Sequence, residues 1–279
     1  MKIMLHALAA CLLLAGCIKD PHTPPGPKPE WLLKKMTIVD VYFDPNLGDI
    51  YSKYIREFSY RNNKPWRCIY SSSSFNEGDT NTLTVHSIDS FFYDNRGRVN
   101  QVTHYSLITK QTERIEKHFY SGNDQLPSKI EFYNKNSPTA SLTARYSYTD
   151  TSVTCIKPFY KGGFDTTTFI FDTKGNYVKL PYPTRPPAMQ LNTYDNALNP
   201  ALFLHVENAM VFQPDYASDY LTRFSKNNWT QIRSTTKWYG PRIITLNELG
   251  MPIQIDLIHD FGVHQQYRYV TRYEYRHAD

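Results

Sequence analysis

The chain has 279 residues, of which 15% are aromatic and 20% charged, with a formal net charge of +5. Its Lys and Arg residues are scattered, without the basic stripe or patch that a nucleic-acid-binding surface needs. Its length is enough for one sizeable domain once the N-terminal segment is set aside.

The N-terminus opens with Lys2 and an apolar stretch from Ile3 to Leu14. About a dozen apolar residues are too few to span a bilayer, which takes roughly 20, but they suit the core of a signal peptide. The run Leu14-Ala15-Gly16-Cys17 resembles a bacterial lipoprotein signal. That resemblance implies cleavage before Cys17 and acylation of its thiol, so that lipid ties the protein to a membrane. An ordinary signal peptide with an incidental Cys17 is the rival reading. The small residues before the Cys and the polar, Pro-rich stretch after it count against that rival. Ile18 follows the Cys, which by resemblance to the enterobacterial sorting rule favours the outer membrane. Lys19-Asp20 loosely resembles the surface-export signal of Bacteroidota lipoproteins, and both faces of that membrane stay open. Five prolines between Asp20 and Glu30 deny this stretch a helix or a sheet ladder and make it an extended spacer. The expected organisation is a signal peptide over residues 1–16, a lipidated Cys and linker over 17–35, and one domain over 36–279.

Within the domain β signals dominate. At the C-terminus Tyr267, Tyr269, Thr271, Tyr273 and Tyr275 alternate with Arg268, Val270, Arg272, Glu274 and Arg276, the period of a strand with two different faces. Ile130 and Phe132 alternate with Lys129, Glu131 and Tyr133 in the same way. No long apolar stripe has helical spacing; one short helix is expected near Leu202–Met210 or Ser218–Phe224.

A repeat organises these strands. Phe92-Tyr93-Asp94-Asn95-Arg96-Gly97-Arg98-Val99 is its best copy, followed by Phe171-Asp172-Thr173-Lys174-Gly175 and Leu246-Asn247-Glu248-Leu249-Gly250. Looser copies begin at Phe58 and Phe119, weaker ones at Tyr194 and Phe224, and the copy at Tyr148-Thr149-Asp150 lacks the Gly. Asp or Asn at the first turn position can bond backbone N–H groups further on, and Gly three residues later accepts a left-handed backbone. Together they make a type I turn with a bulge, a common hairpin closure. The unit Tyr-Asp-x-x-Gly-Arg-Val resembles the YD repeat of Rhs-type proteins. With the stretches Thr193–Pro200 and Leu221–Asn228 and the lipoprotein signal, the chain resembles Bacteroidota lipoproteins that carry a domain with a porin-like curved sheet. The resemblance implies turns, not chemistry, and brings no catalytic residues. The expected fold is all-β: a long antiparallel meander of repeated hairpins in a curved or rolled sheet, half-barrel-like, with little helix. Because Arg, Lys and Glu alternate with the aromatics, a lipid-facing membrane barrel is not expected.

Chemistry-bearing motifs are sparse. In an oxidising compartment Cys68 and Cys155 form a candidate disulfide; otherwise both are small buried hydrophobes on different strands. Ser71-Ser72-Ser73-Ser74 reads as a polar loop rather than a nucleophile. The nearest metal-like cluster, His259-Asp260-Phe261-Gly262-Val263-His264, reads as an ordinary hairpin turn, and the oxygen-rich stretches Asn76–Asp79 and Asp44–Asp49 lack the calcium-loop pattern. No metal, cofactor or catalytic residue is expected.

The surplus of aromatics is the remaining signal. Ladder packing is the favoured explanation; if a binding face for a glycan or partner protein exists, Tyr267, Tyr269, Tyr273 and Tyr275, then Trp229 and Trp238, are its candidates. Three functions stand open: a non-enzymatic envelope module binding protein or glycan, a purely structural envelope protein, and a polysaccharide hydrolase. Buried carboxylates or His in a concave site would favour the hydrolase, and the absence of any pocket the structural protein. The expected partners are the membrane, through lipid at Cys17, and an envelope protein or glycan, with no nucleic acid and with the chain a monomer.

Overall fold

A computed structural model describes residues 30–44, 48–76, 82–158, 162–179, 191–200, 226–233, 238–239, 241–260 and 266–279. The strands run β1 (Trp31–Asp44), β2 (Gly48–Arg61), β3 (Lys64–Asn76), β4 (Thr84–Tyr93), β5 (Val99–Ser106), β6 (Gln111–Phe119), β7 (Lys129–Asn134), β8 (Leu142–Thr149) and β9 (Ser152–Pro158). They continue as β10 (Phe164–Phe171), β11 (Tyr177–Lys179), β12 (Leu191–Leu198), β13 (Asn227–Arg233), β14 (Trp238–Tyr239), β15 (Arg242–Leu246), β16 (Pro252–Asp260) and β17 (Gln266–His277). The short helix expected near 202–210 or 218–224 lies outside the described residues.

The all-β meander is what forms. One sheet of 14 strands follows the chain from β1 to β11 and is extended past β1 by β17, β16 and β15. Its pairings are antiparallel, and β1 joins the last strand to the first, from Trp31 opposite His277 to Tyr42 opposite Tyr267. The first strand begins earlier than the boundary expected at residue 36. Leu32 and Leu33 are buried, and that apolar pair commits residues 31–35 to the sheet rather than to the linker.

So long a sheet must curl, and its packing shows that it does. Ile130, Phe132, Ala144, Tyr146, Val153, Cys155, Phe169 and Tyr177 form one core cluster on β7–β11, and Leu257 of β16 packs against it from the other end of the sheet. A second cluster joins Leu33, Phe58, Cys68, Phe91, Val99 and Val102 to Met251, which lies between β15 and β16. The sheet is rolled without closing into a barrel. The separate sheet β12-β13-β14 touches β11 on one side and β15 on the other, which covers two edges that would otherwise present unpaired backbone.

The repeat closes hairpins at one end of the roll. In the best copy Asp94 Oδ1 accepts from the amides of Arg96 and Arg98 at 2.9 Å each, and Gly97 has φ +78°. Asp172 accepts from Lys174 and Asn176 in the same way, and Asn247 from Leu249 and Met251. Asn62 and Asn63, both left-handed, make a tighter two-residue turn. The copy without Gly still closes β8 onto β9, with Thr149 opposite Ser152.

At this end several tyrosines, most of them just before a turn, hook the neighbouring hairpin. Tyr60 donates its hydroxyl to the Leu33 carbonyl at 2.6 Å, Tyr93 to Pro65 at 2.5 Å and Tyr120 to Val99 at 2.6 Å. Tyr148 donates to Pro127 at 2.7 Å and Tyr275 to Pro252 at 2.7 Å. Trp31 and His277 lie at this end too, called here the near end.

Candidate functional site

Strand register builds a concave polar wall on the inner face of β2–β6. The pairings place side chains in three rungs across the sheet. One rung is Arg56, Tyr70, Ser87 and Ser106. The next is Phe58, Cys68, Asp89, His104 and Arg114. The third, nearer the tyrosine hooks, is Phe91, Val102, Glu116 and Phe132. Residues from all three rungs, with Ser72, His86, Ile108 and Glu113, line a cavity of about 630 Å³. Its floor is the apolar cluster around Phe58, Phe91 and Val102. Ile108 and Glu113 put its mouth toward the β5–β6 turn, at the far end of the roll.

Most charged groups in the wall are matched. His104 Nδ1 lies 2.6 Å from Asp89 Oδ1, and that hydrogen bond raises the imidazole's pKa. Arg114 lies 3.0 Å from Glu116. Behind it the His118 side chain is fully buried with its Nε2 3.8 Å from Glu116, and neither ring nitrogen has a hydrogen-bond partner. Glu113 accepts from the Thr109 hydroxyl at 2.7 Å. Arg56 has no ion pair or hydrogen bond among the described residues.

A row of rings stands beside Arg56. Tyr54 and Tyr70 lie 6.4 Å apart at 16°, and Tyr70 and His86 5.7 Å apart at 41°. Ser72 Oγ sits 2.7 Å from His86 Nε2, which fixes the imidazole. The serine run is therefore not a loop: it lies within β3, because its alternation fits the ladder as well as any polar strand does. Ser72 and His86 have the spacing of a nucleophile and its base. But Ser72 lies mid-strand, paired with Tyr54 on one side and Thr84 on the other, so neighbouring amides serve the ladder rather than an oxyanion.

The tyrosine face at the C-terminus points inward. Tyr269 and Tyr273 stand opposite Asp40 and Met36 on β1, on the face that carries Arg56 opposite Met36. Tyr273 and Tyr275 pack against the second core cluster, and burial pushes the Tyr273 hydroxyl up to about 12. For Tyr273 and Tyr275 ladder packing, rather than an exposed binding face, is what the structure shows, because the rolled sheet puts them inside. The side chains of Tyr267, Trp229 and Trp238 lie outside the described residues, as does Cys17. So do the His259–His264 turn side chains and the loops at Asn76–Asp79 and Asp44–Asp49. Among the described residues no group of three or more His, Cys, Asp or Glu is placed to hold a metal ion.

The candidate disulfide is also corrected. Cys68 and Cys155 are free, buried thiols in different core clusters. Strands β4–β8 lie between them in the sheet, each adding about 4.8 Å. A disulfide needs Cα atoms within about 7 Å.

None of the charged cavity residues stands in a recognisable motif. The signal that marks them is a change of inner-face composition: apolar at Ile130, Phe132, Ala144, Val153 and Phe169, but charged at Arg56, Asp89, His104, Arg114 and Glu116.

No family model matches the sequence, and no curated protein is similar to it. Among solved structures it is similar to a porin-like protein from Bacteroides uniformis ATCC 8492, with 11% identity, a TM-score of 0.49, and coverage of 88% of this chain and 98% of that one.

Proposed function

We propose that this chain is a lipid-anchored outer-membrane module that binds a small polar ligand, a glycan, inside the rolled sheet without transforming it. One observation carries this reading: the polar residues that the three rungs place over an apolar floor, around a cavity of about 630 Å³. That volume falls in the range that holds small ligands, about 300–1,000 Å³, and is far too small for a folded partner. Its walls mix hydroxyls, carboxylates, cations and rings over an apolar floor, the mixture that a sugar's hydroxyls and carbon faces need. A purely structural role would leave no reason for charged side chains to line the interior, where each costs desolvation.

Lipid at Cys17 suits the same geometry. The linker would enter at Trp31, at the near end, while the cavity opens toward the far end. Its mouth would then point away from the membrane.

The test is thermal shift of the purified chain against a panel of oligosaccharides, with Ser106→Leu as a variant that fills the cavity. A ligand that raises the melting temperature of the wild type and not of Ser106→Leu supports the reading. Equal shifts in both would place binding elsewhere.

A second reading, a polysaccharide hydrolase, is favoured by the carboxylates and histidines gathered in the concave wall. Against it, Asp89 is hydrogen-bonded to His104 and Glu116 is paired with Arg114, which suits holding hydroxyls more than donating a proton. Release of new reducing ends from a bound oligosaccharide would establish the hydrolase instead.

A further inference from the structure

We infer that the cavity's ligand is an acidic sugar whose anionic group, a carboxylate or a sulfate, sits on Arg56. The inference rests on the cavity-binding reading and adds the chemistry of the occupant.

Arg56 is the cation in the wall without a carboxylate partner among the described residues. Arg114 is bonded to Glu116 at 3.0 Å and His104 to Asp89 at 2.6 Å. Arg56 lines the same cavity with nothing among the described residues to neutralise it. A cation held over an apolar floor loses part of its hydration, and an anion that enters restores the balance. Its planar fork suits two parallel bonds to a carboxylate or sulfate, a geometry that a lysine does not offer.

The surroundings specify a sugar rather than a free ion. Arg56 stands opposite Tyr70 in register, at the side of the Tyr54–Tyr70–His86 row. The Ser72 bond holds the last ring of that row in place. A pyranose carrying an acid group packs its carbon surface against Tyr70 and His86, the two rings of that row that line the cavity, while the acid reaches the guanidinium. Ser87 and Ser106, in the same rung, and the Asp89–His104 pair one rung deeper offer partners for its hydroxyls. A small inorganic anion would use Arg56 alone and leave most of the cavity empty.

The experiment is calorimetric titration of the full chain in detergent with three probes: a galacturonic acid trimer, a sulfated galactose trimer and neutral galactotriose. At least one acidic probe is expected to bind tenfold or more tighter than the neutral one, and the better of the two identifies carboxylate or sulfate. Arg56→Gln is expected to bring that probe down to the level of galactotriose, and Arg56→Lys to retain part of the difference. Equal binding of acidic and neutral probes, or no effect of Arg56→Gln, overturns the acidic-sugar inference and leaves the cavity reading standing. No binding of any probe also overturns it, and the cavity reading is then decided by the broader oligosaccharide panel with Ser106→Leu. Should Arg56→Gln fail to fold, the wild type decides: affinity for the acidic probe must fall with added salt while that for galactotriose holds. Salt-independent acidic binding overturns the inference.

Discussion

The Tyr93 hydroxyl donates to the Pro65 carbonyl at 2.5 Å, and so ties the end of β4 to the start of β3. Pro65 is itself fully buried, so that carbonyl has little access to water. Tyr93→Phe should therefore cost about 1–2 kcal/mol, the range for a lost bond that leaves a buried acceptor unpaired. Tyr148→Phe, which frees the Pro127 carbonyl, should cost about the same and add independently. The repeat copy at Phe171 has no hydroxyl and is the natural control. Urea midpoints of the single and double variants check this; loss of less than about 0.3 kcal/mol in each would show that the hooks do not hold the hairpins.

Two glycines at equivalent turn positions separate backbone strain from crowding. Gly250 has φ +75° and nothing within 4 Å of an added Cβ, so Gly250→Ala should cost about 1 kcal/mol from left-handed strain alone. Gly97 has φ +78°, and its added Cβ would fall 1.9 Å from Lys64 Nζ, which donates to the Gly97 carbonyl at 2.7 Å. Lys64 must swing away, so Gly97→Ala should cost more than Gly250→Ala. Double replacement with Lys64→Ala should bring the two costs together.

Asp40 gives a pH signature. Its Oδ1 is buried without a hydrogen-bond partner, and burial raises its pKa from 3.8 to about 6. Between those values the folded chain keeps a proton that the unfolded chain releases. Stability therefore falls as pH rises through that window, and the loss is complete above it. Asp40→Asn should leave stability at pH 3 nearly unchanged and raise it at pH 7. Denaturant midpoints at the two pH values decide; no gain at pH 7 would show that Asp40 finds a partner in solution.

The two thiols should be inert in the native protein. Both are buried, and burial pushes Cys68 up to about 12 and raises Cys155 as well, so little thiolate exists at neutral pH. Iodoacetamide should label neither until denaturant is added, when both react. Mass spectrometry of the unreduced protein should find no link between Cys68 and Cys155.

How much of this was legible in the sequence depends on the distance between the residues involved. Turn chemistry is local: Asp94 to Gly97, or Asn247 to Gly250, carries its own closure, so the meander could be read directly. The alternation from Tyr267 to Tyr275 marks a strand, but the same alternation fits either face as the inner one. Only the roll of the whole sheet decides that Tyr273 lies inside. The cavity was not legible because its wall comes from five strands, and its rungs depend on register. Irregularities between Tyr70 and Ser71 and between His104 and Tyr105 shift the alternation at just those strands, so His86 and Ser87 can both reach the cavity. Neither Arg56 nor Glu116 looks unlike a surface residue until its partners across the sheet are known.

The seam between β1 and β17 has a consequence for biogenesis. Every other pairing in the large sheet joins strands adjacent in sequence, so hairpins can form as the chain emerges, at low loop-closure cost. Trp31 and Leu33 must wait for His277 and Tyr275, nearly the whole chain later. Until then β1 keeps an open edge, and an N-terminal fragment lacking β17 would carry that edge permanently, with Leu32 and Leu33 beside it. Truncation at the C-terminus should therefore produce self-association rather than a smaller folded protein.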